Sequence, residues 1–165
     1  MVSLNTFLPD EDATLALGAA IARALEPGLV FYLRGELGAG KTTLARGVLR
    51  GLGYEGRVKS PTYALVELYT VSRLDLHHFD FYRFQDPREW IDAGFRETFN
   101  GRNVCLVEWP ERAAGLLPPA DVEIVLESSG SGRSATLRAG SPQGERCLKQ
   151  LEARRPFTSP ATSSS

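Results

Sequence analysis

The chain has 165 residues, 42% of them hydrophobic, and its 19 basic and 20 acidic residues leave a net charge of −1. That length suits one well-buried domain and is too short for two of ordinary size, while the balanced charge provides no global basic field for non-specific nucleic-acid binding. Cys105 and Cys147, the two cysteines, are far apart and in no C-x-x-C spacing, which speaks against a disulfide framework or a structural zinc site; with no basic-plus-apolar leader and no apolar run near about 18 residues, the expectation is a cytoplasmic chain without a membrane span.

In chain order, Asp10 or Asp12 can cap a helix over roughly 12–25, where Leu15, Ala19, Ala22 and Leu25 recur at helical spacing and Pro27-Gly28 ends it. The apolar run LVFYL at 29–33 reads as a strand, GELGAGKTT at 35–43 as a glycine loop and TLARGVLRGL as a helix. Within the loop, Gly35, Gly40, Lys41 and Thr42 match the P-loop pattern, whose backbone N–H groups surround a polyphosphate. The helix that opens at Lys41 adds the positive end of its dipole. Gly38 and Gly40 permit left-handed backbone angles and let the chain approach phosphate oxygen closely. Lys41 then reaches the β and γ phosphates, and Thr42 a Mg²⁺.

Gly51 and Gly53 stop that helix, and a loop carrying Lys59, Ser60, Pro61 and Thr62 leads into a strand at 65–70. A turn at 71–73 returns the chain through LDLHHFDFYRF, an antiparallel hairpin inserted after the P-loop helix. Period-2 geometry puts His78, Asp80 and Tyr82 on one face and His77, Phe79 and Phe81 on the other. The histidines are expected to be partly buried and hydrogen-bonded. A carboxylate between Phe79 and Phe81 is costly to bury without a cation or donors, so Asp80 is a candidate functional residue.

Asp86 and Pro87 start a helix expected to run to about 99, with a weak point at Gly94. VCLVEWP then reads as a buried parallel strand that ends on Glu108 and is stopped by Pro110. Ligands of open α/β sheets sit beyond the carboxyl ends of strands, so Glu108 is placed to act on the magnesium of Thr42, where a Walker-B Asp usually stands. Trp109 either covers the site, docks a partner or belongs to the core. Residues 121–128 and 133–140 alternate around a Ser-Gly-Ser-Gly-Arg turn and form a second hairpin, and 143–154 a last helix. The expected fold is α/β: a P-loop NTPase-like sheet flanked by helices with inserted antiparallel hairpins, one domain over 1–154. A Ser/Thr/Pro-rich tail over 155–165, with only Phe157 to bury, is expected to be disordered.

The segments GELGAGKTT, KSPTYALVELY, HHFDFYR and LVEWPERA resemble, in order and spacing, the TsaE (formerly YjeE) family of small bacterial P-loop ATPases. The likeness covers about residues 7–150, and SPT, HxDxYR and ExW together are far more specific than the P-loop alone. The resemblance implies an ATPase, not a transferase, that works with TsaB and TsaD to make threonylcarbamoyladenosine beside the anticodon of tRNA, reaching tRNA only through the complex. It carries over residues 38–43, Ala39 and Thr43 included, as the ATP loop. It also makes Thr42 and Glu108 magnesium ligands and Asp80 a residue needed for hydrolysis. Ser60 to Thr62 become a switch-like loop near the γ phosphate, so Lys41, Asp80 and Thr62 are the candidate catalytic residues. Thr14 and Arg133 are candidates for contact with the adenine, and Arg83 is an internal candidate for a transition-state cation. Three alternatives use the same loop: a small-molecule kinase, for whose acceptor pocket and lid there is little room; a GTPase, for which no Asn-Lys-x-Asp occurs; and a non-hydrolysing ATP-sensing adaptor.

Overall fold

The computed structural model describes residues 2–61, 63–71 and 74–157. The chain opens with a strand, β1 (Ser3–Leu8), and a helix, α1 (Glu11–Arg23), followed by β2 (Val30–Arg34) and the P-loop helix α2 (Lys41–Gly51). The inserted hairpin is β3 (Val66–Val71) and β4 (Leu74–Asp80); short helices α3 (Pro87–Asp92) and α4 (Phe95–Thr98) lead to β5 (Val104–Glu108). A 3₁₀ turn at Pro110–Ala113 precedes the second hairpin, β6 (Val122–Ser129) and β7 (Gly132–Ala139), and the last helix is α5 (Pro142–Ala153).

All the strands join one seven-stranded sheet in the order β1-β7-β6-β2-β5-β4-β3. Its centre, β6-β2-β5-β4, is parallel, and the hairpins add antiparallel strands at both edges. The burial of every residue of β5 is what a central parallel strand requires. Val104 and Leu106 face the cluster made with Leu17, Ile21, Leu44 and Val48 of α1 and α2, whereas Cys105 and Val107 face an aromatic cluster of Phe79, Phe81, Trp90 and Phe95. The first of these faces carries the glycine loop. Its helices sit very close together: a Cβ at Gly18 would lie 2.6 Å from the Leu44 carbonyl oxygen, and one at Gly47 2.6 Å from that of Leu15. Only glycine at both positions lets α1 lock the P-loop helix onto the sheet at this distance.

The structure departs from the sequence-based expectations in four places. β1 was not foreseen; Leu4 and Leu8 point into the core while Ser3, Asn5 and Phe7 are exposed, and the strand pairs with β7. The helix expected over 86–99 is two helices, because Gly94 takes a left-handed conformation (φ 67°) after α3, which Asp86 and Glu89 open with a capping box. The first hairpin starts at Val66, one residue late, since Leu65 has φ 71° and its carbonyl accepts from the Asp80 N–H at 3.0 Å. Finally, the expected loose tail does not begin at Arg155. The Arg155 guanidinium donates to the Asn5 carbonyl and Phe157 packs, partly buried, against the main core. Residues 72–73 of the expected turn and 158–165 of the expected tail lie outside the described residues. No helix among the described residues is long and apolar enough to cross a membrane.

Candidate nucleotide and metal site

The loop after β2 lies at the carboxyl ends of the parallel strands, with β5 on one side and β6 on the other. Gly38 (φ 78°) and Gly40 (φ 105°) take left-handed angles, and Gly40 is the N-cap of α2. The first turn of that helix carries no acidic residue of its own. Gly38, Gly40, Lys41, Thr42 and Thr43 line one pocket. Ala39 is buried behind them in the core, and a Cβ at Gly35 would fall 2.7 Å from the Leu126 carbonyl oxygen, so both shape the loop from below.

Two carboxylates face the loop from the neighbouring strands. Asp80 and Glu108 are register partners at the ends of β4 and β5, both are buried, and both line the pocket. Glu108 Oε2 accepts from the Thr42 hydroxyl at 3.1 Å and lies 2.6 Å from His78 Nε2. Asp80 accepts from the Ser60 hydroxyl through Oδ2 and from the Tyr82 N–H at 2.9 Å through Oδ1. The expected face of His78 and Asp80 is therefore observed, and His78 is buried and in polar contact as expected, but its partner, Glu108, was not foreseen. The place of His78 on the face of Asp80, at period-2 spacing, was the available signal.

Lys41 is buried; its ammonium donates to the Gly35 carbonyl and lies 3.8 Å from the centroid of the Trp109 ring. Burial lowers its pKa, opposed by the nearby carboxylates Glu108, Glu111, Asp80 and Glu36. Trp109 reaches this position because it sits in the left-handed region (φ 56°) immediately after Glu108, a conformation uncommon outside glycine and frequent at functional sites. Its ring centroid is 5.0 Å from that of Tyr82.

Arg133, at the start of β7, donates to the Gly38 carbonyl at 2.7 Å and lines the same pocket. With buried Thr14 it also borders an adjoining cavity that reaches Gly40 and Thr43, so the structure brings together the two residues expected near the base. Arg83 is not brought in: it is exposed, stacks at 4.6 Å over Tyr63 and does not line the pocket. Thr62 lies outside the described residues.

The donor set fits Mg²⁺. This ion takes hard oxygen ligands, and the Thr42 hydroxyl and the Glu108 carboxylate, hydrogen-bonded to each other at 3.1 Å, supply such oxygens side by side in the pocket. Among the described residues no group of three or more His, Cys, Asp or Glu could hold a metal by itself.

A glycine loop between a parallel strand and a helix, with a hydroxyl and a carboxylate meeting beyond the adjacent strand, defines a P-loop protein of the α/β class. The family model described as "Threonylcarbamoyl adenosine biosynthesis protein TsaE" matches residues 8–135. The chain is 42% identical over 153 residues to the tRNA threonylcarbamoyladenosine biosynthesis protein TsaE of Haemophilus influenzae, covering 90% of this chain and 97% of that protein. It is 39% identical over 149 residues to the protein of the same name from Bacillus subtilis, covering 89% and 91%. The crystal structure of B. subtilis YdiB superposes with a TM-score of 0.80 at 30% identity, covering 93% of this chain and 96% of that one. The chain belongs to the TsaE family.

Proposed function

We propose that this chain binds Mg–ATP in its glycine loop and hydrolyses it, as the ATPase that serves TsaB and TsaD in forming threonylcarbamoyladenosine on tRNA. The observation that carries the reading is the meeting of the Thr42 hydroxyl with Glu108 at 3.1 Å, beside a second buried carboxylate, Asp80, in the same pocket. A loop that only recognised phosphate would have no use for two acids so close to an anion, since each adds repulsion unless a cation intervenes.

In this reading the loop N–H groups and the start of α2 bind the phosphates. Lys41 exchanges the Gly35 carbonyl for the β and γ oxygens, where charge accumulates as the bond to the leaving ADP breaks. Thr42 and Glu108 would hold the metal, which would supply neutralisation of phosphate charge. Asp80, with Ser60 hydrogen-bonded to it, would either help hold the metal or orient the attacking water. Arg133 and Thr14 bound the side on which the nucleoside would lie. The balanced charge of the chain agrees with tRNA being held by the partners.

The test is phosphate release from Mg–ATP by the chain alone and with TsaB and TsaD, with no acceptor added. Slow release that the partners accelerate is expected. A small-molecule kinase would release almost none under these conditions, and a sensing adaptor would bind ATP with no turnover in either case.

A further inference from the structure

We propose that His78 is the positioning residue for Glu108, fixing the carboxylate in the rotamer that receives the metal; this rests on the Mg–ATP reading above. His78 lies on β4 two residues ahead of Asp80 and so on the same face. The parallel register sets His78 beside Leu106 and Asp80 beside Glu108, which aims the imidazole along the sheet at the end of β5. The ring is fully buried, at 0% exposure. Its Nε2 is 2.6 Å from Glu108 Oε2, the oxygen that also accepts from Thr42. A carboxylate oxygen that accepts in this contact requires the imidazole tautomer that carries its hydrogen on Nε2.

The other ring nitrogen shows why this imidazole is not packing material. His78 Nδ1 is buried and, among the described residues, has no hydrogen-bond partner. Leaving a polar atom unpaired in the interior is unfavourable, and an aliphatic side chain on this face would avoid it. His77 is the internal contrast. Its Nδ1 is likewise unpartnered, but the ring is half-buried on the opposite face, where it stacks at 6.4 Å with Phe79. Among the described residues, His77 does not line the pocket, whereas His78 makes a polar contact with Glu108.

A glutamate has several rotatable bonds, and at a strand end over an open pocket it would sample many positions. Two donors on one oxygen, from a strand and from a helix, hold it still and leave its remaining lone pairs for the pocket. Mg²⁺ tolerates little departure from its octahedron, so it responds strongly to such constraint. Partners of this kind behind a ligating group are typically worth 10–100-fold in metal affinity.

The experiment measures Mn²⁺, as the paramagnetic stand-in for Mg²⁺, by electron paramagnetic resonance in the full chain with a non-hydrolysable β,γ-imido analogue of ATP. Metal-free binding of the analogue is measured in parallel. His78→Leu, which removes the donor, is expected to weaken Mn²⁺ binding about 10–100-fold with metal-free analogue binding unchanged. His78→Gln, whose amide reaches as far as Nε2, is expected to restore most of the loss. If His78→Leu does not fold, His78→Asn replaces it, being polar but too short to reach Glu108. Equal Mn²⁺ affinity in wild type and the donor-less variant, or a Gln variant as weak as the donor-less one, overturns the role of His78 alone. No Mn²⁺ binding by the wild-type complex overturns the Mg–ATP reading and this inference with it.

Discussion

Glu108 and Asp80 stand side by side at the ends of adjacent strands, equally buried, yet they are held in different ways. The partners of Glu108 belong to regular elements: His78 is within β4 and Thr42 within the first turn of α2. Asp80 accepts from Ser60, in the long segment between α2 and β3, and from the N–H of Tyr82 just past the strand. The geometry of Glu108 is therefore fixed by folding itself, whereas that of Asp80 depends on a loop rich in turn residues, the kind of segment whose order responds to ligands or partners. A metal ligand benefits from the first arrangement. In the proposed scheme, a group that acts only when the partners are present would benefit from the second.

The comparison breaks most visibly at Glu108. Glu108→Ala should lower turnover by about 100-fold or more, since a metal contributes several kcal/mol of charge stabilisation, and should also destabilise the fold by about 1–3 kcal/mol because His78 loses its acceptor. Glu108→Gln should recover the stability, keeping an acceptor oxygen, but not the magnesium dependence. Steady-state rates against Mg²⁺ concentration and thermal melts check both. Ser60→Ala should spare the fold and ATP affinity while costing about tenfold or more in partner-stimulated turnover, the scale of one hydrogen bond to a charged group. An equal loss of ATP affinity would place Ser60 with the fixed machinery.

Two smaller effects should leave both carboxylates alone. Phe157→Ala should cost about 1 kcal/mol, for a partly buried aromatic packed on the core beside β1, with turnover per folded molecule unchanged. The weakest effect concerns alkaline pH. Burial pushes the Cys105 and Cys147 thiols up to about 12, from 9.0. Unfolded thiols ionise near 9 while the folded ones stay neutral, so the unfolded chain binds fewer protons in this window. Their contribution is fully present below that pH and declines as the pH rises toward 12. Melting temperatures at pH 8 and pH 10 should show the decline, and Cys105→Ala should flatten it.

The difference between the two carboxylates also marks how far the sequence could be read. The glycine loop, Thr42 and Glu108 follow from motif spacing and from the burial of a parallel strand, and the face of Asp80 follows from alternation, because these signals are local and periodic. Contacts between distant segments leave no such trace. Ser60 reaches Asp80 across a hairpin, and His78 meets Glu108 only through the register of β4 and β5. β1 escaped for a related reason: SLNTFL has two buried leucines as its only pattern, and what makes it a strand is its pairing with β7 near the other end of the chain. The kink at Gly94 was visible as a weak point, but whether a glycine bends or breaks a short helix is decided by packing, here of Trp90 and Phe95 against Phe79 and Phe81. Trp109 gave no sign of its left-handed backbone, since nothing in EWP requires it.

The strand order also dictates when the protein becomes whole during its own synthesis. β2, which delivers the glycine loop, pairs with β5 and β6 and with no strand made before them. On a ribosome adding about 5–20 residues each second, the loop and its helix wait several seconds for their neighbours. β1 waits longer still, until Leu137 emerges to meet Leu4. During that interval α1 and α2 can associate through Gly18 and Gly47, a local pairing with little loop to close, and shield apolar surface that the sheet will later claim. The tight helix pair that holds the P-loop in the finished molecule is thus also suited to chaperone the unfinished one.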